Sequence, residues 1–331
     1  MDVTITGGAG FIGKKLAQRL LGANELKAPD GSASRLEKLT LLDVVEPSED
    51  LKNDPRITVL TGDITDTSLL EQAIPKSTDS VFHLAAVVSA GAEDDFDLGM
   101  AVNLDATRAI LDICRGHGTK PKVVFASSCA AFGGDMPNVI ADMTARTPQT
   151  SYGTQKVIGE LLVNDYARKG YVDGRALRFP TVVVRPGKPN KAASTFASSI
   201  IREPLQGQIA VCPVSPESKM FLASPRSIIE NVLRAHNLPE SDWGMSRETT
   251  LPGFSMAIGH MAEALRSVAG DTVADRIEWK ADPFIQKIVD GWPPEFDTQK
   301  ALDLGFIRDA SMEDIIKAFI EDELEGNVVI D

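Results

Sequence analysis

The chain opens with a stretch that leaves few folds available to it. Val3-Thr4-Ile5-Thr6 reads as a short buried strand, Gly7-Gly8-Ala9-Gly10-Phe11-Ile12-Gly13 as a tight turn, and Lys14 to Leu21 as a helix. The glycines at 7, 10 and 13 form G-x-x-G-x-x-G. A first glycine allows the turn, a second lets the backbone approach a pyrophosphate, and a third lets helix and strand pack closely. The helix N-terminus then offers free N–H groups to an anion. The stretch predicts a dinucleotide cradle, with Gly7, Gly10, Phe11 and Ile12 beside the ligand; a glycine-rich connector is the alternative.

Strand-like and helical runs then alternate. Ala23 to Glu37 is polar and reads as a surface loop or an extended helix end. Leu39-Thr40-Leu41-Leu42 is a second strand ending in Asp43. A carboxylate there accepts hydrogen bonds from ribose hydroxyls and repels a 2′-phosphate, which favours NAD over NADP; a cap is the alternative. Ile57 to Leu60 is a third strand, followed by Asp63 and Ile64. Asp63 meets an adenine amino group or caps a helix beginning near Thr67. Ser80 to Ala86 is a fourth strand, where Leu84, Ala85 and Ala86 allow a cofactor close to the backbone and His83 reads as a satisfied core residue. Glu93 to Cys114 is helical, and Asn103 is buried by pattern, ordering local backbone or water.

Lys122 to Ala126 is a fifth strand ending in Ser127-Ser128. Open α/β sheets bind ligands at this end of a strand; the serines as turn caps are the alternative. Arg175 to Val184 reads as one sixth strand, and Met220-Phe221-Leu222-Ala223 as a return to the main sheet, with Arg226 just beyond. An amphipathic helix covers Met312 to Phe319. The alternation predicts an α/β fold with a doubly wound parallel sheet.

Tyr152 and Lys156 stand four apart at the start of a helical run. Such residues share a face, with β-carbons about 5–6 Å apart. A free phenol, with a pKa of about 10, is a poor base at neutral pH. An ammonium about 4 Å away at an effective dielectric of about 20 contributes about 4 kcal/mol, enough to bring it near 7. Alone, the pair equally describes a surface tyrosine packed on a lysine stem.

Composition narrows the partners. The net charge of −13 opposes nucleic acid phosphates and anionic membranes. Within that acidic chain, Arg185, Lys188 and Lys191 form a local basic cluster, read as an anion site or as solvated loop cations. Cys114, Cys129 and Cys212 lack metal spacing, and the four histidines are scattered, so no metal site is expected and a reducing cytoplasm fits. No signal-peptide layout and no apolar run of about 20 residues is seen.

Taken together, the glycine turn, Asp43, Asp63-Ile64, His83-Leu84-Ala85-Ala86, Asn103, Ser128, and Tyr152 with Lys156 resemble the extended short-chain dehydrogenases/reductases, the NAD-dependent epimerase/dehydratase family. The resemblance is close over the first 180 residues and weaker beyond. It implies a Rossmann NAD-binding domain over 1–180, completed by part of 209–260, and a smaller, discontinuous C-terminal substrate domain over 181–331. It implies Tyr152 as proton acceptor, Lys156 lowering its pKa and holding the nicotinamide ribose, and Ser128 bonding the reacting oxygen. Pro180 and Val182 would flank the nicotinamide, and the helices carrying Asn103 and Tyr152 would build a homodimer interface. Cys129 and Ala130 stand where the sugar-nucleotide dehydratases carry an acidic pair, which argues against dehydration, and Thr181 replaces an asparagine common in epimerases. Ser127 to Gly134 and Phe179 to Phe196 are similar to family members that oxidise a four-carbon sugar acid at C2, so the resemblance implies a small sugar-acid substrate. Ser89, Ser128, Arg185, Lys191, Thr195 and Arg226 are the residues expected around it. A nucleotide-sugar epimerase and a non-catalytic NAD sensor are the alternatives.

Overall fold

The computed structural model describes residues 1–23, 25–187 and 193–330. The chain divides into two compact units. The first comprises Met1–Ala131, Pro148–Arg178 and Ile229–Thr250. Its sheet contains β1 (Asp2–Thr6), β2 (Lys38–Asp43), β3 (Ile57–Thr61), β4 (Thr78–His83), β5 (Lys122–Ser128), β6 (Asp173–Phe179) and β7 (Glu248–Thr250). Their order is β7-β6-β5-β4-β1-β2-β3, and β1 pairs in parallel with both β2 and β4. The strand order reverses at β1, which is where open α/β sheets form their ligand crevice.

Helices on both faces of such a sheet bury both sides of a central strand. In β1, Val3 and Ile5 are buried, but so are Thr4 and Thr6. Their hydroxyls need partners: Thr4 Oγ1 donates to the Ala73 carbonyl at 2.6 Å, and Thr6 Oγ1 meets His83 Nδ1 at 2.7 Å. His83 Nε2 bonds Thr107 Oγ1 at 2.8 Å, and burial pushes the ring pKa down to about 3. It is a neutral, satisfied core residue.

Helix α1 (Phe11–Leu21) buries Gly13, Leu16, Ala17 and Leu20, one stripe at helical spacing. Helix α2 (Thr67–Ala73) is capped by Asp66, whose carboxylate accepts from Ser68 N at 2.9 Å and Leu69 N at 3.4 Å. The expected cap, Asp63, instead accepts from Thr65 N. Asp66→Ala should therefore cost about 1 kcal/mol in urea unfolding, while Asp63→Ala leaves α2 intact; equal losses would contradict the assignment. A π-helical turn, Met100–Asp105, precedes α3 (Ala106–His117).

Three expectations change. Ala23 to Glu37 contains an antiparallel hairpin, Leu26–Lys27 with Ala33–Ser34, whose turn is held by Asp30 accepting from Ser32 N. The run from Arg175 to Val184 is not one strand: Pro180 has no N–H to donate to a ladder, and the chain resumes as Thr181–Val182 in another sheet. Lys219–Ala223 does not return to the main sheet. It pairs with Thr181–Val182 and Phe254–Ala257, and β7 closes the main sheet instead.

The second unit comprises Phe132–Thr147, Phe179–Ile228 and residues from Leu251 onward. Residues 132–147 belong here because Phe132 and Phe221 pack on Phe296 at ring-centroid distances of 5.9 and 4.5 Å, and Ile140 bridges to Phe296. Its core takes Phe196, Ile200 and Ile201 from α5 (Thr195–Leu205) and Met312, Ile315, Ile316 and Phe319 from α6 (Met312–Leu324). Among the described residues no helix is long and apolar enough to cross a membrane, and no acidic, histidine or cysteine cluster could hold a metal.

Candidate functional site

The glycine turn is shaped first by the protein's own packing. Gly7 has φ 74°, and a Cβ there would lie 2.8 Å from Ala85 N. A Cβ on Gly13 would lie 2.0 Å from the Gly7 carbonyl. Gly10 is different: a Cβ would meet only the Gly7 carbonyl, at 3.3 Å, so its outer side is open. The N–H groups of Ala9 and Gly10 converge on Asp43 Oδ2 at 3.0 and 3.1 Å. Asp43 Oδ1 accepts from Val45 N at 3.3 Å. Asp43 thus closes the glycine turn at the start of α1, where a carboxylate fits the hydroxyls of a dinucleotide's ribose.

Leu84, Ala85 and Ala86 follow β4 directly, and Leu84 N donates to the Thr6 carbonyl beside the turn. Ile64 is buried in the core beneath the sheet. Asn103 is 1% exposed, and its amide is spent within the protein. Oδ1 accepts from Val87 N at 2.8 Å, while Nδ2 donates to the Val87 carbonyl at 3.0 Å and to Gln155 Oε1 at 2.7 Å. Asn103 therefore orders the backbone after β4. Gln155, unremarked in the sequence, is its partner; its position between Tyr152 and Lys156 was the available signal.

Helix α4 (Ser151–Arg168) begins at Thr150, whose side chain accepts from Gly153 N at 3.1 Å. Glu93 accepts from Ser151 N at 3.0 Å and fixes the entry. Two glycines set how close α4 lies to β5. A Cβ on Gly153 would stand 2.2 Å from the Ala130 carbonyl, and one on Gly159 2.6 Å from the Phe125 ring. Only glycine permits that approach, which brings Tyr152 near enough to Ser128 for the serine to favour its phenolate. Ser128 Oγ also accepts from Ala130 N at 3.1 Å, so the serine serves its turn and the site together. Lys156 is buried, with Nζ 4.7 Å from the Phe125 ring centroid and 5.5 Å from that of Tyr152.

Burial dominates the electrostatics here. It pushes the Tyr152 phenol up to about 12, with the Ser128 bond pulling the other way. It pushes the Lys156 ammonium down to about 7, with Glu160 opposing. The sequence estimate counted only attraction between the two groups; removing both from water penalises both charges. As it stands the pair holds a neutral tyrosine, and an additional cation beside it would favour the tyrosinate. Cys129 is half-buried and desolvation pushes its thiol pKa well up, which leaves it inert as a nucleophile.

The other expected residues are placed differently. Ser89 opens the short helix Ser89–Asp94 in the first unit. Pro180, Val182, Arg185, Thr195 and Arg226 belong to the second unit. Arg185 is anchored through its backbone: N donates to Ser198 Oγ at 3.1 Å, and its carbonyl accepts from Arg202 Nη1 at 2.7 Å. Burial and the neighbouring Arg202 lower its guanidinium pKa. Thr195 is the first residue of α5. Arg226 is committed elsewhere: it donates to Asp322 at 3.0 and 2.6 Å and to Glu321 at 2.9 Å, which removes it from the substrate set. Lys191 lies outside the described residues.

Comparison with known proteins agrees with this geometry. The profile of the NAD dependent epimerase/dehydratase family matches residues 3–220. A D-erythronate dehydrogenase of Cupriavidus necator is 52% identical over 322 residues, covering 97% of this chain and 98% of the relative. A D-erythronate dehydrogenase of Haemophilus influenzae is 46% identical over 321 residues, covering 97% and 99%. The crystal structure of a nucleoside-diphosphate-sugar epimerase from Agrobacterium tumefaciens superposes with a TM-score of 0.92 at 42% identity, covering 99% of this chain and 95% of that one. A parallel sheet reversing at β1, a glycine turn closed on Asp43, and relatives matched from end to end lead to one conclusion: the chain belongs to the NAD dependent epimerase/dehydratase family and is an NAD-dependent oxidoreductase.

Proposed function

We propose that the chain oxidises D-erythronate at C2 to the 2-oxo acid, with Tyr152 as the base. The observation that carries the chemistry is the meeting of Ser128, Tyr152 and Lys156 on adjoining ends of β5 and α4. The substrate rests on the two full-length relatives named D-erythronate dehydrogenase. NAD, when bound, supplies the hydride acceptor and a positive charge. Gly7, Gly10, Phe11, Ile12 and Asp43 would hold its phosphates and ribose, with Asp63 and Ile64 at its adenine and Leu84 to Ala86 letting the cofactor approach the backbone.

In this mechanism Ser128 holds the C2 hydroxyl oxygen, and the Tyr152 oxygen accepts its proton as the C2–H bond breaks with its electron pair. Lys156 stabilises the tyrosinate and contacts the nicotinamide ribose. Ser89, Arg185, Lys191 and Thr195 remain the proposed substrate contacts. Because Tyr152 must lose its proton before it can act, turnover should rise with pH through the neutral range. A pH-independent kcat between pH 6 and about 9 would contradict a tyrosine base. Asp43→Ser removes the carboxylate that disfavours a 2′-phosphate, so the NAD:NADP ratio of kcat/KM should fall by about tenfold or more; an unchanged ratio would dismiss Asp43 as the discriminator.

The resemblance also supports a homodimer built on the helices carrying Asn103 and Tyr152, which light scattering of the purified chain tests directly, and the three unpaired-by-spacing cysteines fit a reducing cytoplasm. A second reading, epimerisation of a nucleotide sugar, is favoured by the Agrobacterium tumefaciens structure. NADH formation on a panel of sugar acids and nucleotide sugars separates the two.

A further inference from the structure

The helix that carries Tyr152 and Lys156 has a third polar residue on the same stripe. Tyr152, Lys156 and Glu160 stand at i, i+4 and i+8, and Glu160 is 1% exposed. A carboxylate so buried needs charged or donating partners. Ser127 Oγ donates to Glu160 Oε1 at 2.5 Å, Arg178 Nε donates to the same oxygen at 2.9 Å, and Arg178 Nη2 to Oε2 at 2.8 Å. Glu248 on β7 stands 3.9 Å from Arg178. Consecutive serines at the end of β5 therefore grip one helix at two points: Ser127 holds Glu160 and Ser128 meets Tyr152.

We propose that Glu160 is a positioning residue for the reaction: bound to Ser127 and Arg178, it fixes the register of the Tyr152–Lys156 stripe against β5 and supplies the counter-charge for the Lys156 ammonium. The inference rests on the catalytic reading of Tyr152 and Lys156. The titratable and charged groups that reach Lys156 are His83 on β4 and Tyr152 and Glu160 on α4, while Arg178 on β6 and Cys129 after β5 face Glu160. His83 is held neutral and Cys129 is held as the thiol, both by burial. Of these groups, Glu160 alone is an acidic side chain, and it stands one turn along α4 from Lys156. Burial favours the uncharged amine, and Glu160 opposes it.

The test is a pH titration of the full chain labelled at lysine Cε with carbon-13, with the Lys156 resonance assigned by its loss in Lys156→Met. Glu160→Gln keeps the shape and removes the charge. Because it also takes the Glu160 carboxylate from Arg178, which keeps Glu248 at 3.9 Å, the double variant Glu160→Gln, Arg178→Gln is measured beside it as a replacement with no change in net charge. In Glu160→Gln the Lys156 midpoint should move down by about one pH unit or more, a tenfold change in its protonation ratio, and in the double variant, which also removes the Arg178 cation, by less. Ser127→Ala, which keeps the charge and loosens the grip, should lower kcat by about tenfold with NAD affinity retained. An unmoved Lys156 midpoint together with a wild-type kcat in Ser127→Ala would reduce Glu160 to a structural residue and overturn the proposal. Substantial turnover in Tyr152→Phe would instead overturn the catalytic reading beneath it, so the two failures are distinguishable.

Discussion

Replacing Tyr152 by phenylalanine is expected to lower kcat by about 10³-fold, while NAD affinity stays within about threefold of wild type. The substitution removes one oxygen and keeps the ring whose centroid lies 5.5 Å from Lys156 Nζ. Gly153, Gly159 and the Thr150 cap are untouched, so α4 keeps its seat on β5. What is lost is the oxygen proposed to take the hydroxyl proton. Lys156 is pushed down to about 7 and donates rather than accepts once charged, and Ser128 already accepts from Ala130 N. The glycine turn and Asp43 do not depend on Tyr152. Lys156→Met should behave differently, weakening turnover and NAD binding together. Steady-state kinetics with calorimetric NAD titration separates the two; a Tyr152→Phe enzyme within tenfold of wild type would exclude the tyrosine as base.

Gly153→Ala is expected to lower kcat by about 10²-fold through geometry alone. A Cβ there would lie 2.2 Å from the Ala130 carbonyl and 2.9 Å from Pro148 Cβ. The first of these is backbone, with no flexible end to move aside. The first turn of α4 must therefore retreat from the turn that carries Ser128, taking Tyr152 with it. Overpacking of this kind costs about 1–3 kcal/mol. Alanine favours a helix over glycine by about 1 kcal/mol, which offsets part of that strain. The loss should thus appear in kcat far more than in urea unfolding. Wild-type kcat in a folded Gly153→Ala variant would show that the approach of α4 to Ala130 does not set the site.

The parts legible in the sequence are those whose residue types are demanded locally. Gly7 and Gly13 are required by contacts within a dozen residues or by the adjoining strand, and Tyr152 and Lys156 by the spacing of one helix. The illegible parts depend on distant partners. β7 reads Glu-Thr-Thr, with no apolar run to announce a strand, and is set by its parallel pairing with Ala176–Arg178 of β6. Arg226 looked available for an anion until Glu321 and Asp322, nearly a hundred residues on, came to meet it. Asp63 and Asp66 both suit a cap by type, and only the backbone path decides between them. Spacing gave the attraction between Tyr152 and Lys156 but not their depth. Depth is what pushes the phenol up to about 12 and the ammonium down to about 7.

The most direct test is NADH absorbance when the purified chain, wild type and Tyr152→Phe in parallel, is given NAD with D-erythronate and, separately, with nucleotide sugars. The account predicts steady NADH formation from D-erythronate by the wild type, none by Tyr152→Phe, and no interconversion of the nucleotide sugars. NADH formation equal in both enzymes, or a silent D-erythronate assay with a nucleotide sugar interconverted, would contradict it.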